Sequence, residues 1–493
     1  MMRMAKAKLT AALVVAGLLS TELAPAGAQS SRPMSISQAD KQTGAQEHPK
    51  LLAEFGGAYK APQAAYITQV GRRIAVQSGL SNSQSDFTIT LLNSPVNNAF
   101  AIPGGYVYVT RQLVGLMNDE AELASVLGHE VGHVAARHAA KRSQQSTLGS
   151  LGTLLGAIGA GLLTGSQEIA QLAQKVLGTG AQLWVLGYSR SQEYEADDLG
   201  VRYLASAGYD PRALSTMLTS LAAQSALDTR VGRTPARSVP TWASTHPDPA
   251  SRVQRALAKA QATGSRATLL NRDAFLTAIN GIVYDDDPHQ GVTEGNSFRH
   301  PDLRLMFTIP QGYGMSNGTR AVTISGSGGQ GQFGTGAFSG DLDAYIAAAF
   351  QDLAGGSARI DYGRPQRATV NGLTAAYSTA RANTQSGQVD VTIFAYVFGP
   401  KSAYHFATLT PAGAANPFNA MFQSVRRLND AEVAAIRPRK ISVVTVKPGD
   451  TVARLAQRMA YPISQVDRFM VLNALTSASK LKPGQRVKIV VYG

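Results

Sequence analysis

The chain contains, at residues 98–138, the stretch NAFAIPGGYVYVTRQLVGLMNDEAELASVLGHEVGHVAARH. Its most informative part is the pentapeptide His129-Glu130-Val131-Gly132-His133. The apolar residues around it recur at helical spacing: Leu123, Val126, Leu127, Val131 and Val134. Gly128 and Gly132, four positions apart, would let another element pack closely against this helix. The stretch therefore predicts a buried helix that carries two histidines on one face. Asp119, with Glu122 three residues later, predicts a capping box at its start.

The two histidines suggest a metal site. Residues four apart on a helix project from the same face, so His129 and His133 can bind one metal ion. Glu130 lies one step round the helix and can take a proton from a metal-bound water without being a ligand. With eight histidines among 493 residues, an accidental H-E-x-x-H is rare. We expect one Zn²⁺ per chain at this position.

A third ligand is expected from residues 191–198, SQEYEADD. Glu193 and Asp197 share a helix face at i and i+4. A carboxylate would complete a His₂Glu set and leave the fourth position to water, while a second carboxylate could hold a ligand imidazole by its other nitrogen. We assign Glu193 as the ligand and Asp197 as the supporting residue. An acidic helix start by itself would indicate a solvated surface, so this assignment depends on the preceding H-E-x-x-H.

Together these motifs, with Asn98-Ala99-Phe100-Ala101 and Pro103-Gly104-Gly105, resemble the HtpX-like and Ste-type zinc peptidases, metallopeptidase family forty-eight, over about residues 45–260. The resemblance implies a mainly helical catalytic domain of the gluzincin type with a small β-sheet. It also implies peptide hydrolysis with Glu130 as general base. By the same resemblance, the strand formed by Asn98, Ala99, Phe100 and Ala101 would bind an extended substrate through main-chain hydrogen bonds. An ordinary scaffold hairpin is the alternative.

Residues 244–252, STHPDPASR, resemble the family's H-P element. By that resemblance His246 approaches the metal, where it stabilises the oxyanion or plugs the open position at rest, and Arg252 orients the site. From the residues alone, a loop histidine before proline is more often exposed. His138, five residues after His133, falls about 140° round the helix and is expected at the surface.

Residues 1–28 have the layout of a secretory signal peptide, because Arg3, Lys6 and Lys8 precede the apolar run Leu9–Leu19 and a small-residue cleavage site ending at Ala28. A retained anchor is the alternative, although the run is short for a membrane span. The absence of cysteine excludes a disulfide framework. Residues 29–45 are rich in Ser, Gln and Pro, and we predict a disordered lead-in to a peptidase domain at 46–280.

The formal net charge is +14, to which Arg3, Lys6 and Lys8 against Glu22 in the leader contribute +2. The remaining basic character suits anionic envelope polymers, lipid head groups or acidic substrates. Nucleic acid is not expected as a partner, because no known nucleic-acid module is present. At 493 residues with 44% hydrophobic content, the chain can form two to four domains.

The interval between the two ligand segments, 143–187, contains a glycine-rich apolar run at 148–163. This run is short for a membrane span. We expect a pair of helices or a mobile lid over the cleft, with peripheral contact to a membrane surface as the alternative.

Residues 295–430 have the composition of an α+β domain, to which we assign no chemistry. Predicted strands are 303–310, 321–324, 391–398 and 404–409, and predicted helices are 342–353 and 418–428, with a Gly/Ser-rich loop near 325–340. The preceding Asp285-Asp286-Asp287 lacks the full spacing of a calcium loop and predicts a solvated turn.

Residues 440–493 resemble a LysM module with a βααβ layout. The resemblance implies binding of N-acetylglucosamine polymers, chiefly peptidoglycan, through loops that include Gly449, Asp450 and Thr451. Tyr461-Pro462 and Phe469 stand where smaller or aliphatic residues are expected, so the resemblance supports the fold more strongly than glycan binding. A small protein-interaction domain is the alternative.

The sequence thus predicts an α+β multidomain protein: a zinc metalloendopeptidase exported to the periplasm and associated with the wall or the membrane. Its expected substrates are unfolded, misassembled or stalled envelope proteins. Two alternatives belong to other classes. One is a chaperone or assembly factor whose zinc site is plugged by His246, and the other is a wall-binding or wall-remodelling protein.

Overall fold

A computed structural model describes residues 35–80, 82–139, 141, 187–231, 242–246, 249–318, 321–353, 360–384 and 387–493. The predicted signal peptide at 1–28 and the glycine-rich run at 148–163 lie outside these ranges. Within the described ranges, no helix is both long enough and apolar enough to cross a membrane.

The N-terminal domain packs helices around a three-stranded sheet. Its elements are α1 (Gln38–Glu54), α2 (Pro62–Ala75), β1 (Thr88–Leu92), β2 (Ala99–Ile102), β3 (Tyr106–Thr110), α3 (Arg111–Leu116), α4 (Glu120–Ala135), α5 (Arg190–Ser206), α6 (Ala213–Arg230), α7 (Trp242–Thr245), α8 (Pro249–Ala262) and α9 (Arg272–Ile279). Strand β3 lies in the middle, parallel to β1 and antiparallel to β2, which forms an edge. The hairpin predicted at 100–109 is therefore confirmed, and Gly104 and Gly105 turn it with φ of 87° and 82°.

Residues 38–45 belong to α1, so the prediction of a disordered lead-in is wrong over them. The helix begins at Ser37, whose hydroxyl accepts a hydrogen bond from the Asp40 N–H. It lies across the β2–β3 hairpin, where a Cβ on Gly44 would be 2.2 Å from the Pro103 carbonyl oxygen. Packing on a distant hairpin therefore orders a segment whose composition is typical of disorder.

Helix α4 carries the H-E-x-x-H motif and begins as predicted at Asp119. The Asp119 carboxylate accepts a hydrogen bond from the Glu122 N–H at 2.9 Å. The Glu122 carboxylate bonds instead to the N–H of Asn118, one residue before the cap, at 2.8 Å. The predicted close packing at Gly128 and Gly132 is confirmed, because a Cβ on either residue would lie 3.1–3.6 Å from backbone atoms of α5.

The middle domain consists of two sheets and one long helix. Its elements are β5 (Val292–Glu294), β6 (Ser297–His300), β7 (Leu305–Thr308), β8 (Gly314–Asn317), β9 (Val322–Gly326), β10 (Gly329–Thr335), α10 (Leu342–Leu353), β11 (Gln366–Val370), β12 (Leu373–Thr384), β13 (Gly387–Gly399), β14 (Ser402–Pro411), α11 (Asn419–Ser424) and β15 (Arg426–Arg427). The larger sheet has the order β11-β12-β13-β14-β10-β9-β8, and the smaller has the order β15-β7-β6-β5. An aromatic core lies between the sheets, and α10 covers the other face of the larger one.

Two predictions for this domain are wrong. Strand β10 runs through the predicted Gly/Ser-rich loop, because it pairs on both sides with β9 and β14. The predicted helix at 418–428 ends at Ser424 and is followed by β15, which pairs with β7. In both places, pairing with distant strands overrides local propensity.

The C-terminal module has the predicted βααβ order: β16 (Arg439–Thr445), α13 (Val452–Ala456), α14 (Gln465–Leu472) and β17 (Arg486–Tyr492), after the short α12 (Asp430–Ala435). Strand β16 also pairs with β4 (Val283–Tyr284), so the chain enters and leaves the middle domain through adjacent strands. Phe469 and Ile489 belong to the same hydrophobic core as Val114 and Phe275 of the N-terminal domain. The module and the N-terminal domain therefore share one core.

The acidic run at 285–287 lies at this junction, and the prediction of a solvated turn is wrong. Asp285 is buried, with its N–H bonded to Gln112 Oε1 at 2.8 Å. The Tyr461 hydroxyl donates to Asp285 Oδ2 at 2.6 Å, and Asn93 Nδ2 donates to Asp287 Oδ2 at 2.7 Å. Tyr461, one of the residues that depart from the LysM pattern, is thus a contact between domains.

Candidate metal centre

Four side chains from three parts of the N-terminal domain converge on one buried point. His129 and His133 come from α4, Glu193 comes from the first turn of α5, and His246 follows α7. Their candidate ligand atoms all lie within 4.8 Å of one another, and all four residues are buried. The sequence segments that supply them are separated by up to 117 positions, and the packing of α4 on α5 and α7 unites them.

The distances between the ligand atoms fit a four-coordinate metal. The Nε2 atoms of His129 and His133 are 3.0 Å apart, and each lies 3.5 Å from one Glu193 carboxylate oxygen. His246 Nδ1 lies 3.2 Å from His129 Nε2 and 3.0 Å from Glu193 Oε1. In a tetrahedral zinc shell with bonds of about 2.0–2.1 Å, neighbouring ligand atoms are about 3.3 Å apart. The residues present therefore fit zinc.

A buried arginine and a carboxylate support two of these ligands. Asp197 Oδ1 is 2.9 Å from His129 Nδ1, which leaves Nε2 facing the centre. Arg252 donates to both Asp197 oxygens, at 2.9 and 2.6 Å, and its Nη1 lies 2.6 Å from Glu193 Oε2. Burial would raise the pKa of Asp197, but hydrogen bonds from His129 and Arg252 lower it to about 2. Despite burial, the pKa of Glu193 is also lowered, by the neighbouring His246, His133 and His129, so both carboxylates are ionised.

Glu130 differs from the other carboxylates of the centre. It is completely buried, and neither of its oxygens has a hydrogen-bond partner among the described residues. Burial raises its pKa to about 7, which the charge of the nearby His246 partly opposes. A buried carboxylate with a pKa near neutrality suits a general base that acts on a water molecule.

His246 is buried, in contrast to what a loop histidine by itself suggests. Its Nε2 lies 3.4 Å from Glu130 Oε1 and 3.3 Å from the Ala99 carbonyl oxygen. The Trp242 ring stacks on the imidazole at 4.1 Å, and the backbone N–H of Trp242 donates to the Asn97 carbonyl at 2.8 Å. Burial would lower the pKa of His246, but Glu193 and Glu130 raise it overall. The segment 242–246 therefore covers both the fourth ligand position and the start of edge strand β2.

The residues predicted to bind substrate, Asn98, Ala99, Phe100 and Ala101, line this edge of the sheet. Their side chains are all buried, and Asn98 Oδ1 accepts a hydrogen bond from the Thr245 hydroxyl at 3.3 Å. A pocket is lined by residues 101–104 together with His133, Arg137 and Tyr188.

Two aromatic residues beside His133 differ from the sequence predictions: His138 was expected at the surface, and no role was expected for Tyr188. Helix α4 ends at Ala135, and Arg137 has a φ of 56°, so the chain turns back and the helical angle no longer applies. His138 is buried, with its Nδ1 2.8 Å from His133 Nδ1, and the prediction of a surface position is wrong. The Tyr188 ring stacks on the other side of His133 at 3.9 Å. In the sequence, the only indication that Tyr188 lies near the centre is that it directly precedes Ser189, the N-cap residue of α5.

The proposed glycan loop of the C-terminal module is an ordered turn. Gly449 adopts a φ of 82°, Asp450 accepts a hydrogen bond from the Lys447 N–H at 2.8 Å, and Thr451 caps α13. Gly449 and Thr451 are exposed, whereas the polar side chains of Asp450 and Thr451 bond to the turn itself.

Comparison with known protein families agrees with this geometry. The profile of peptidase family M48 matches residues 61–260, which contain all four converging side chains. We refer to residues 61–260 as the M48 domain, after the profile that matches them. The LysM domain profile matches residues 444–490. M48 peptidases are metal-dependent, so the buried His/Glu group is the part of this M48 domain that can hold the metal.

The M48 domain also resembles curated proteases. The beta-barrel assembly-enhancing protease of Yersinia pestis is 34% identical over 211 residues, which are 42% of this chain and 41% of that protein. The protein of the same name from Escherichia coli K12 is 29% identical over 228 residues, 46% and 45% of the two chains. The mitochondrial metalloendopeptidase OMA1 of Schizosaccharomyces pombe is 28% identical over 219 residues, 44% and 59% of the two chains. The chain thus spans about half the length of these relatives.

Proposed function

We propose that the protein is a zinc-dependent metalloendopeptidase of the bacterial cell envelope that cuts misfolded or stalled envelope proteins. The observation that carries the proposal is the convergence of His129, His133 and Glu193 beside the unpartnered carboxylate of Glu130 and the edge strand β2. The names of the bacterial relatives, the signal-peptide layout and the LysM domain support the envelope as the place of action.

Each residue of the centre has a separate role in the proposed hydrolysis. Zinc held by His129, His133 and Glu193 would lower the pKa of a bound water and polarise the scissile carbonyl. As general base, Glu130 would accept a proton from the attacking water and pass it to the leaving amine. Edge strand β2 holds the substrate in an extended form by main-chain hydrogen bonds. Arg252 keeps Asp197 ionised, contacts Glu193, and through Asp197 orients His129.

The first test is cleavage of casein or an unfolded outer-membrane protein by the purified chain, together with its metal content. We expect cleavage that is lost on chelation, restored by zinc, and reduced by about 10²–10⁴-fold in Glu130→Gln. The variant should still bind one zinc, because Glu130 is not a ligand. Cleavage that survives both chelation and Glu130→Gln would contradict the proposal.

A second candidate is a chaperone or assembly factor with a latent metal site, and the position of His246 favours it. His246 Nδ1 occupies the place that substrate or water would need, and segment 242–246 covers the start of β2. His246→Ala separates the two candidates. Increased cleavage identifies a peptidase that is plugged at rest. The chaperone function is supported if the parent and His246→Ala both bind zinc and cut nothing, while Glu130→Gln still complements a deletion strain.

The LysM domain supports peptidoglycan as a partner, and we propose that it holds the enzyme near the wall. Co-sedimentation of the full chain with purified sacculi tests this, with a Gly449→Val variant that disturbs the exposed turn at its positive φ. Binding that is unaffected by the variant would place the contact elsewhere. Release of soluble muropeptides from the sacculi would favour the wall-remodelling alternative.

A further inference from the structure

A second histidine, His138, is hydrogen-bonded to the ring nitrogen of His133 that points away from the metal centre. His133 Nδ1 lies 2.8 Å from His138 Nδ1, and His138 Nε2 lies 3.1 Å from Glu195 Oε2 on α5. The His138 side chain is fully buried, whereas that of Glu195 is 52% exposed. A row of hydrogen bonds therefore runs from the centre to the surface of the M48 domain, and none of the roles assigned above uses it.

The direction of each hydrogen bond follows from the chemistry of the groups. A metal bound at Nε2 of His133 leaves the ring proton on Nδ1, so this nitrogen must donate. His138 Nδ1 must then be the unprotonated acceptor, which places the His138 proton on Nε2. An ionised carboxylate can only accept, and the Glu195 oxygen faces that proton. Every donor in the row meets an acceptor when His133 presents its Nε2 lone pair to the metal.

We propose that His138 is a positioning residue for His133 and that Glu195 fixes the His138 tautomer. The inference rests on the metal site of the proposed function and on no particular substrate. His129 is oriented by a carboxylate, Asp197, which Arg252 neutralises. Among the described residues no arginine does the same for His133, and Glu193 and Glu130 already place negative charge in the centre. A neutral imidazole orients His133 without adding another buried charge.

The surrounding structure holds His138 in place. The turn at Arg137, with its positive φ, brings His138 back under the end of α4. Tyr188 stacks on the His133 ring at an interplanar angle of 17°, which fixes the ring plane in which Nδ1 must find its partner. The two contacts together leave His133 one orientation.

The test measures the zinc affinity of the full chain by competition with a coloured chelator, without substrate. We expect His138→Ala to weaken zinc binding by about 10–100-fold, the usual effect of removing the partner of a ligand histidine. His138→Asn should stay within about threefold of the parent, because its Oδ1 can accept at the place of Nδ1. Glu195→Ala should cause a smaller loss than His138→Ala, and Arg202→Ala, at an exposed position on α5, should cause none.

Two outcomes would overturn the proposal: a folded His138→Ala that binds zinc within about twofold of the parent, or a His138→Asn as weak as His138→Ala. If His138→Ala does not fold, the surface variant Glu195→Ala decides, and unchanged zinc affinity in it counts against the proposal. A parent that binds zinc tightly but cuts nothing would defeat the peptidase function while leaving this inference intact.

Discussion

At the scale of single residues, the metal centre depends on buried charges that compensate one another. Arg252 is the buried cation that compensates two of these charges, because its guanidinium contacts Asp197 and Glu193 and its side chain is 1% exposed. Arg255, three residues later on α8, forms a similar pair with Asp198, but its side chain is 27% exposed. The two arginines offer a matched comparison between a buried and a surface ion pair.

Arg252→Leu should lower the free energy of unfolding of the metal-free protein by about 3–5 kcal/mol, because it leaves two buried carboxylates without their cation. Arg255→Leu should cost less than about 1 kcal/mol, since water screens its pair. Chemical denaturation in the presence of a chelator measures both. Equal losses would show that Arg252 does not compensate the buried charge.

A residue in the middle domain predicts how stability depends on pH. Burial lowers the pKa of His405, beside the Tyr345 hydroxyl at 2.9 Å, from 6.5 to about 4. The unfolded chain binds this proton below pH 6.5 and the folded chain only below about pH 4, so acidification across this window destabilises the fold. The loss should reach up to about 3 kcal/mol.

Unfolding of the middle domain between pH 7 and pH 4 tests this expectation. His405→Gln should remove most of the acid-side loss. His289→Gln serves as the control, because the Asp302 carboxylate raises the pKa of His289 and its contribution has the opposite sign. A pH profile unchanged by His405→Gln would assign the acid sensitivity to other groups.

At the scale of elements, the centre depends on how closely α4 and α5 approach. A Cβ on Gly132 would lie 3.1 Å from the Ala196 carbonyl oxygen and 3.2 Å from Leu199 Cβ. A Cβ on Gly128 would have its nearest neighbour at 3.5 Å, an ordinary contact distance. Because the two ligand helices meet at these glycines, their spacing sets the distance between the imidazoles and the Glu193 carboxylate.

Gly132→Ala should push the helices apart, cost about 1–3 kcal/mol of stability and weaken zinc binding. Gly128→Ala should be neutral or stabilising by up to about 1 kcal/mol, since alanine is the better helix former and has room. Thermal unfolding and chelator competition compare the two variants. A tolerated Gly132→Ala with normal zinc affinity would show that the helix contact can relax.

At the scale of the whole molecule, the LysM domain and the N-terminal domain fold around one hydrophobic core. Lys488 on β17 is fully buried and donates to the carbonyls of Gly115 at 2.8 Å, Leu116 at 3.0 Å and Met117. These carbonyls lie at the end of α3 and directly before α4. The domain therefore supports the segment that leads into α4, the helix that carries the H-E-x-x-H motif.

Lys488→Met should destabilise the shared unit by about 1–3 kcal/mol, because it leaves buried carbonyls without a donor. The exposed Lys482→Met in the same domain should have no effect. Scanning calorimetry should show one transition for the M48 and LysM domains together and another for the middle domain. A separate LysM transition, insensitive to Lys488→Met, would contradict the shared core.

Several features could be predicted because they depend on neighbours along the chain. The spacing of His129 and His133, the cap at Asp119 and the span of α10 follow from local helix geometry and hydrophobic periodicity. Other features were predicted wrongly, because they depend on segments that are far apart in the chain. His138 lies past the end of α4 and contacts His133. Strand β10 forms because it pairs with β14 and β9 on its two sides. Asp285 is buried against Tyr461 from the C-terminal module.

The sequence by itself determined the chemistry of this protein: which residues can bind a metal, which carboxylate can act as base, and which two families the chain resembles. Only the tertiary structure decided between the buried and the exposed position that the sequence left open for His246, and showed that His138 contacts His133 and that the LysM domain shares the core of the N-terminal domain. The physical reason is that helical spacing is set by bonds within a few residues. Which side chains face one another across the molecule depends instead on the packing of segments that are far apart in the chain.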